Sequence, residues 1–156
     1  MFREMRLKEQ QLTQREAAEI LKNGAYGVLA LCGDGGFPYA VPINYVYDGG
    51  VIYFHGTAEG GHKLDSIKKC AQASFCVVEK ADLAPEEFNT LFVSAIAFGR
   101  TEPITDAAEK RKVLELILQK YSADFMESGR NYVDASWDDV CAVKLVIEHL
   151  TAKKGV

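Results

Sequence analysis

Apolar residues recur at helical spacing in LTQREAAEILKNG (12–24), where Ala17, Ile20 and Leu21 fall on one face. Thr13 and Glu16 have capping-box spacing, Leu12 can staple onto Ala17, and Gly24 can end the helix. The pattern then changes to short apolar runs and alternation. AYGVLALC (25–32) predicts a strand, GDGG a turn, and FPYAVPINYVY (37–47) a second strand. Pro38 and Pro42 put parts of that second strand at an edge or a bulge, because neither can donate to a ladder. DGG (48–50) reads as a tight hairpin leading into VIYFH (51–55).

Leu64 and Ile67 give one stripe of a short helix, and ASFCVVE (73–79) is the next strand. NTLFVSAIAFGRTEPI is the longest strand, ended by Pro103. Asp106 and Glu109 cap a third helix, with Val113, Leu114, Ile117, Leu118 and Tyr121 on one face. VCAVKLVIEHLTAK (140–153) alternates as a last strand, and KADLAPEEFN reads as a polar loop. Six mostly hairpin-linked strands with three helices do not alternate as a doubly wound sheet does. They predict a mainly β (α+β) antiparallel barrel with helices on its outside, as one domain over 1–156.

Composition narrows the class. A chain of 156 residues, 48% hydrophobic and 26% charged, is an ordinary globular protein with room for one core. No apolar run approaches the ~20 residues of a membrane helix, and the polar start is unlike a signal peptide. A net charge of −4 argues against general nucleic-acid binding, so any anion site must be local. Cys32, Cys70, Cys76 and Cys141 lack zinc-ligand spacing and predict buried, reduced thiols in a cytoplasmic protein.

The candidate chemistry gathers in HGTAEGGHK (55–63). Gly56 and Gly61 have Walker-A spacing, but the required GK[ST] is absent, and no GxGxxG follows a strand. What remains is a strand, a glycine loop and a helix with Lys63 in its first turn. Free N–H groups, glycine and a lysine suit a phosphate, with a further N–H from His62. The alternative is a flexible connection with a solvated lysine, although a lysine there opposes the helix dipole. By alternation His55 shares a face with Tyr53 and Val51 where the strand ends. It is either a half-buried histidine or a functional one. His149 reads as structural, and three histidines without a carboxylate pattern do not make a metal site.

In this order YGVLAL, PYAVPINYVYD, IYFHG…GGHKLDSIKK, ASFCVV and SAIAFGRTEPI resemble the FMN-binding split-barrel proteins related to pyridoxamine 5′-phosphate oxidase. Within them the chain is most similar to the Nim-type nitroimidazole-resistance branch. The resemblance implies a six-stranded Greek-key split β-barrel and a homodimer with FMN at the subunit interface. It places the FMN phosphate on Lys63 and the backbone around Gly61 and His62. Pro42, Ile43, Asn44 and Tyr45 would then lie along the isoalloxazine ring, and Phe54 and His55 would lead from ring to phosphate.

Ser94 would sit in the strand that often reaches the flavin from the other subunit in such proteins, Trp137 would either cover the ring or close the end of the barrel, and His55 would be the reactive histidine. Val41 and Pro42 stand where pyridoxamine phosphate oxidases carry a strand arginine, and the end TAKKGV lacks their arginine-leucine segment. Oxidation of vitamin B6 phosphates is therefore not expected. The resemblance points instead to an FMN-dependent oxidoreductase acting on a small molecule. The competing class is a non-catalytic flavin or haem module serving as carrier or sensor.

Overall fold

The computed structural model describes residues 2–155. Seven strands form one antiparallel sheet: β1 (Gly27–Cys32), β2 (Pro38–Ile43), β3 (Val46–Asp48), β4 (Val51–Thr57), β5 (Gln72–Ala84), β6 (Asn89–Pro103) and β7 (Val140–Lys154). Their spatial order is β2-β1-β5-β6-β7-β4-β3. The edge strands β2 and β3 are consecutive in the chain, joined only by Asn44 and Tyr45. In a flat sheet the two edges would stand roughly 28 Å apart. The three Cα steps from Ile43 to Val46 span at most about 11 Å. The sheet must therefore curl until its edges meet without pairing, which is a split barrel.

The expected single strand over 37–47 is thus two, and the strand count rises from six to seven. The inward phase of Tyr39, Val41 and Ile43 runs on to a fully buried Tyr45, but Val46 is buried too, so the alternation breaks there and a new strand begins. The Tyr45 hydroxyl donates to the Leu21 carbonyl at 2.5 Å and its ring meets Phe75 edge-on at 4.7 Å. Pro42 lies on an edge strand, as its missing N–H requires, and Gly49 and Gly50 take the positive φ values of a tight hairpin.

The barrel is filled by Leu29, Phe75, Val77, Ile52, Phe54, Val143 and Leu145. One mouth is plugged by helix α1 (Gln14–Asn23), whose Ala17, Ile20 and Leu21 are buried and whose Thr13–Glu16 capping box forms as expected. Helix α2 (His62–Lys69) adds Leu64 and Ile67. Helix α3 (Ala107–Tyr121) lies outside the barrel. There Val113 forms a second small core with Ile104 and Ala142, flanked by Tyr53 and Ile117. Asp106 caps it through the Glu109 N–H, while the Glu109 carboxylate accepts from Lys144.

A fourth helix, α4 (Met126–Ala135), was not expected from the sequence. Gly129 at its centre lowers its propensity, yet a Cβ there would come within 2.7 Å of Leu118, so the glycine permits close α3–α4 contact. KADLAPEEFN is not a loop: β5 and β6 stay paired as far as Ala84 and Asn89, leaving Leu83 and Phe88 exposed on an arm. None of the cysteines is fully buried, and Cys32 is exposed, against expectation. No helix among the described residues is long and apolar enough to cross a membrane.

Candidate functional site

The loop after β4 is shaped by its glycines. Gly60 and Gly61 have φ of 111° and 109°, a region any side chain would strain. Gly61 is the N-cap of α2 and brings no side chain to cover the amides of the first turn. Those N–H groups, on His62, Lys63 and Leu64, begin the helix before the first internal bond, from Asp65 N–H to the Gly61 carbonyl at 3.0 Å.

Two successive side chains grip opposite walls. Lys63 folds back onto β4, donating from Nζ to the His55 carbonyl at 3.1 Å and lying 5.7 Å from the Phe54 ring. A Cβ on Gly56 would stand 3.4 Å from both Lys63 Cε and Nζ, so the lysine tip packs directly over this residue. Partial burial lowers the Lys63 pKa below the usual lysine value, slightly offset by Cys141. The His62 ring turns the other way, stacking on Tyr39 of β2 at 3.9 Å with Nε2 3.7 Å from the Asp34 carboxylate. The start of α2 therefore bridges β4 and the β1–β2 hairpin.

His55 faces outward beside Tyr53, as alternation predicts. It lines a pocket of about 250 Å³ roofed by α3 and α4. Leu114, Ile117, Leu118 and Val133 make the pocket apolar, and Ser122 and Ser136 supply hydroxyls. The ring keeps solvent contact at the pocket mouth, yet its surroundings remove enough water to lower its pKa, with the Lys63 charge as a second cause. The imidazole is accordingly neutral near pH 7. Wider hollows beside α1 (about 320 Å³) and at the β5–β6 arm (about 510 Å³) contain no histidine or cysteine.

The other expected residues divide. Pro42, Ile43 and Asn44 line the edge of β2, with Asn44 exposed. Tyr45 presents nothing outward, since its N–H donates to the Tyr121 hydroxyl at 2.9 Å and its carbonyl accepts from Lys120 at 3.0 Å. Phe54 is a core residue, so only its backbone borders the site.

Ser94 pairs with Lys153, whereas His55 pairs with Ala142, eleven positions away along β7. At about 3.3 Å per residue the two ends are some 36 Å apart along the strand, so one chain does not bring Ser94 to His55. Trp137 lies near the right end of the barrel, just before β7. Its ring sits under Lys110 and Arg111 at 4.3 and 4.5 Å, and its carbonyl accepts from Lys110 at 2.6 Å. Covering a ligand ring would require it to leave both cations.

The α4 half of the pocket roof and Lys120 carry no sequence signal, and Tyr121 was visible only as part of the α3 apolar face. The stripe Val113–Leu114–Ile117–Leu118 was likewise visible only as core.

The chain is thus a split barrel in which a lysine-bearing, glycine-lined helix start lies beside a histidine at an apolar pocket. Residues 13–154 match the sequence profile of the pyridoxamine 5′-phosphate oxidase family, and the chain belongs to that family.

Among solved structures the fold is similar to a candidate 5-nitroimidazole antibiotic resistance protein from Bacteroides thetaiotaomicron (TM-score 0.78, 22% identity, covering 92% of this chain and 86% of that one). It is similar to a flavocytochrome from Azotobacter vinelandii (0.80, 18%, 98% and 72%). A FAD-binding protein from Mesorhizobium loti is also similar (0.66, 20%, 94% and 98%). At these identities the likeness establishes the fold. No protein of curated function matches the sequence.

Proposed function

We propose that this chain binds FMN and works, as a homodimer, as a flavin-dependent oxidoreductase on a small acceptor. The observation that carries the reading is Lys63, an ammonium drawn partly out of water with a single backbone carbonyl as its hydrogen-bond partner among the described residues. It stands at a helix start whose first amides have no side-chain cap. Such a group is a poor surface charge and a good anion site. The residues present fit a phosphate: Lys63 and the N–H groups around Gly61 and His62 would hold it.

One lysine and one helix start suit a monophosphate, and the sequence carries no dinucleotide fingerprint, which favours FMN over FAD. Flavin binding by the similar proteins from Mesorhizobium loti and Azotobacter vinelandii supports the cofactor class. Pro42, Ile43 and Asn44 would border the ring. FMN, when bound, supplies the redox chemistry, and the chain supplies position and electrostatics.

His55 would orient a substrate by hydrogen bonding or pass it a proton. No acidic, lysine or arginine side chain lines the pocket beside it, which suits a small uncharged acceptor such as a nitroaromatic. The dimer reading rests on two observations. Ile96 and Phe98 leave 39% and 38% of their surface exposed on the outer face of β6, an apolar strip that a second copy would bury. Ser94 can reach a His55 site only from another chain.

The purified protein should be yellow, should release FMN by mass, and should run as a dimer in light scattering. It should turn over a nitroaromatic with a nicotinamide donor. A colourless protein that does not take up FMN sinks the reading, and FAD at full occupancy removes the monophosphate assignment.

A further inference from the structure

At the other end of α2 from Lys63, two cysteines meet. Cys32 is the last residue of β1, and Cys70 is the C-cap of α2. Their sulfur atoms are 2.9 Å apart, closer than unbonded sulfurs ordinarily rest. A disulfide bond is about 2.05 Å long, so closing it asks under ~1 Å of travel. Cys32 is exposed and Cys70 partly so, which admits a small oxidant. Gln72 Oε1 lies 3.3 Å from Cys70 Sγ and can hold its proton. Cys76 and Cys141 have no such partner sulfur among the described residues.

From this geometry we infer that Cys32 and Cys70 form a reversible redox pair that a hydroperoxide closes to a disulfide. The thiolate of one cysteine attacks a peroxide oxygen, the O–O bond breaks, and water (or an alcohol) leaves, giving a sulfenic acid. The second thiol attacks that sulfur and expels water. For hydrogen peroxide the balance is two thiols and one peroxide giving one disulfide and two waters. The neighbouring Cys70 thiol, with burial as a lesser cause, raises the Cys32 pKa, so the attack goes through a minor thiolate fraction. The bond would close a loop between positions 38 apart and fix the end of α2 to β1.

The reduced full-length protein, treated with a small excess of hydrogen peroxide and then alkylated under denaturing conditions, should lose two of its four alkylatable thiols. It should yield a Cys32–Cys70 linked peptide that dithiothreitol abolishes. Oxidation should raise Tm by roughly 5–10 °C, from the shortened unfolded-state loop. Neither Cys32→Ser nor Cys70→Ser should show that rise, while Cys76→Ser should keep it. Four alkylated thiols after treatment, a bond joining other cysteines, or a lone sulfinic acid without a cross-link would each overturn the pair. The outcome is independent of flavin binding, because the readouts are mass and melting.

Discussion

Replacing Lys63 by alanine separates a structural lysine from a ligand-binding one. In the protein by itself the ammonium makes one hydrogen bond, 3.1 Å to the His55 carbonyl, and partial burial lowers its pKa. The desolvation penalty and the single bond oppose each other, so Lys63→Ala should leave stability within about 1 kcal/mol of the parent. A bound phosphate changes that balance. A hydrogen bond to a charged group contributes about 1.5–3 kcal/mol, which converts to a loss of roughly 10- to 150-fold in FMN affinity.

Riboflavin lacks the phosphate, so its affinity should be weaker in the parent and nearly unchanged by the substitution. Flavin fluorescence titrations of parent and variant with both ligands, beside thermal melts, make the comparison. Two results would refute the reasoning. One is a folded Lys63→Ala that binds FMN as tightly as the parent. The other is a parent that binds FMN and riboflavin equally, which returns HGTAEGGHK to a flexible connection.

Tyr121→Phe strips the acceptor from the Tyr45 N–H at the β2–β3 corner and should cost about 1–3 kcal/mol in a denaturant titration. An unchanged midpoint would mean water replaces the hydroxyl freely. Gly99 is buried at the β6–β7 register shift, where a Cβ would overlap the Val146 carbonyl. Backbone cannot step aside as a rotamer can, so Gly99→Ala should destabilise by about 2–3 kcal/mol by the same assay.

His55 should titrate in the folded protein below the ordinary value of about 6.5, read from its ring proton shifts. Because the unfolded chain then binds the proton more readily, this contribution to stability is complete above about pH 6.5. It is lost as pH falls through the lower folded pKa, and His55→Asn should flatten that slope. Neutralising Lys63 by added phosphate or FMN should move the His55 pKa back upward.

Local rules made much of the fold legible. Thr13 and Glu16 announced the capping box, Gly49–Gly50 the hairpin, and Pro42 the edge strand, because each depends on neighbours in sequence. The break after Tyr45 was hidden because Tyr39, Val41, Ile43 and Tyr45 keep one inward phase and Val46 fits a strand on either face, so only tertiary structure shows that both Tyr45 and Val46 are buried. Helix α4 was hidden because Gly129 lowers local propensity, while its compensating contact with Leu118 lies on another helix. At the site, Lys63 and the loop glycines were readable because helix-start chemistry is local. His62 turning away to Tyr39, and Ser94 lying at the far end of β7, follow from strand order, which periodicity does not encode. Cys32 and Cys70 carry no spacing signal at all.

Helix α2 is only eight residues long, too short to be stable by itself, so its placement depends on what holds each end. At its start the ties are Lys63 to β4 and His62 to Tyr39. At its end they are the Lys69–Asp34 ion pair at 2.5 Å and the touching sulfurs of Cys70 and Cys32. Asp34 belongs to both sets, because His62 Nε2 and Lys69 Nζ address its two carboxylate oxygens. The surface ion pair contributes little alone, but as a shared anchor it joins the Lys63 end of the helix to the thiol end. Fixing the C-terminal end through a disulfide would then cut the disorder that a phosphate must remove at the N-terminal end. FMN should accordingly bind more tightly to the oxidised protein than to the reduced one, while riboflavin should not distinguish them. Equal FMN affinities in the two redox states would mean that the first turn of α2 is already fully held by Lys63 and His62.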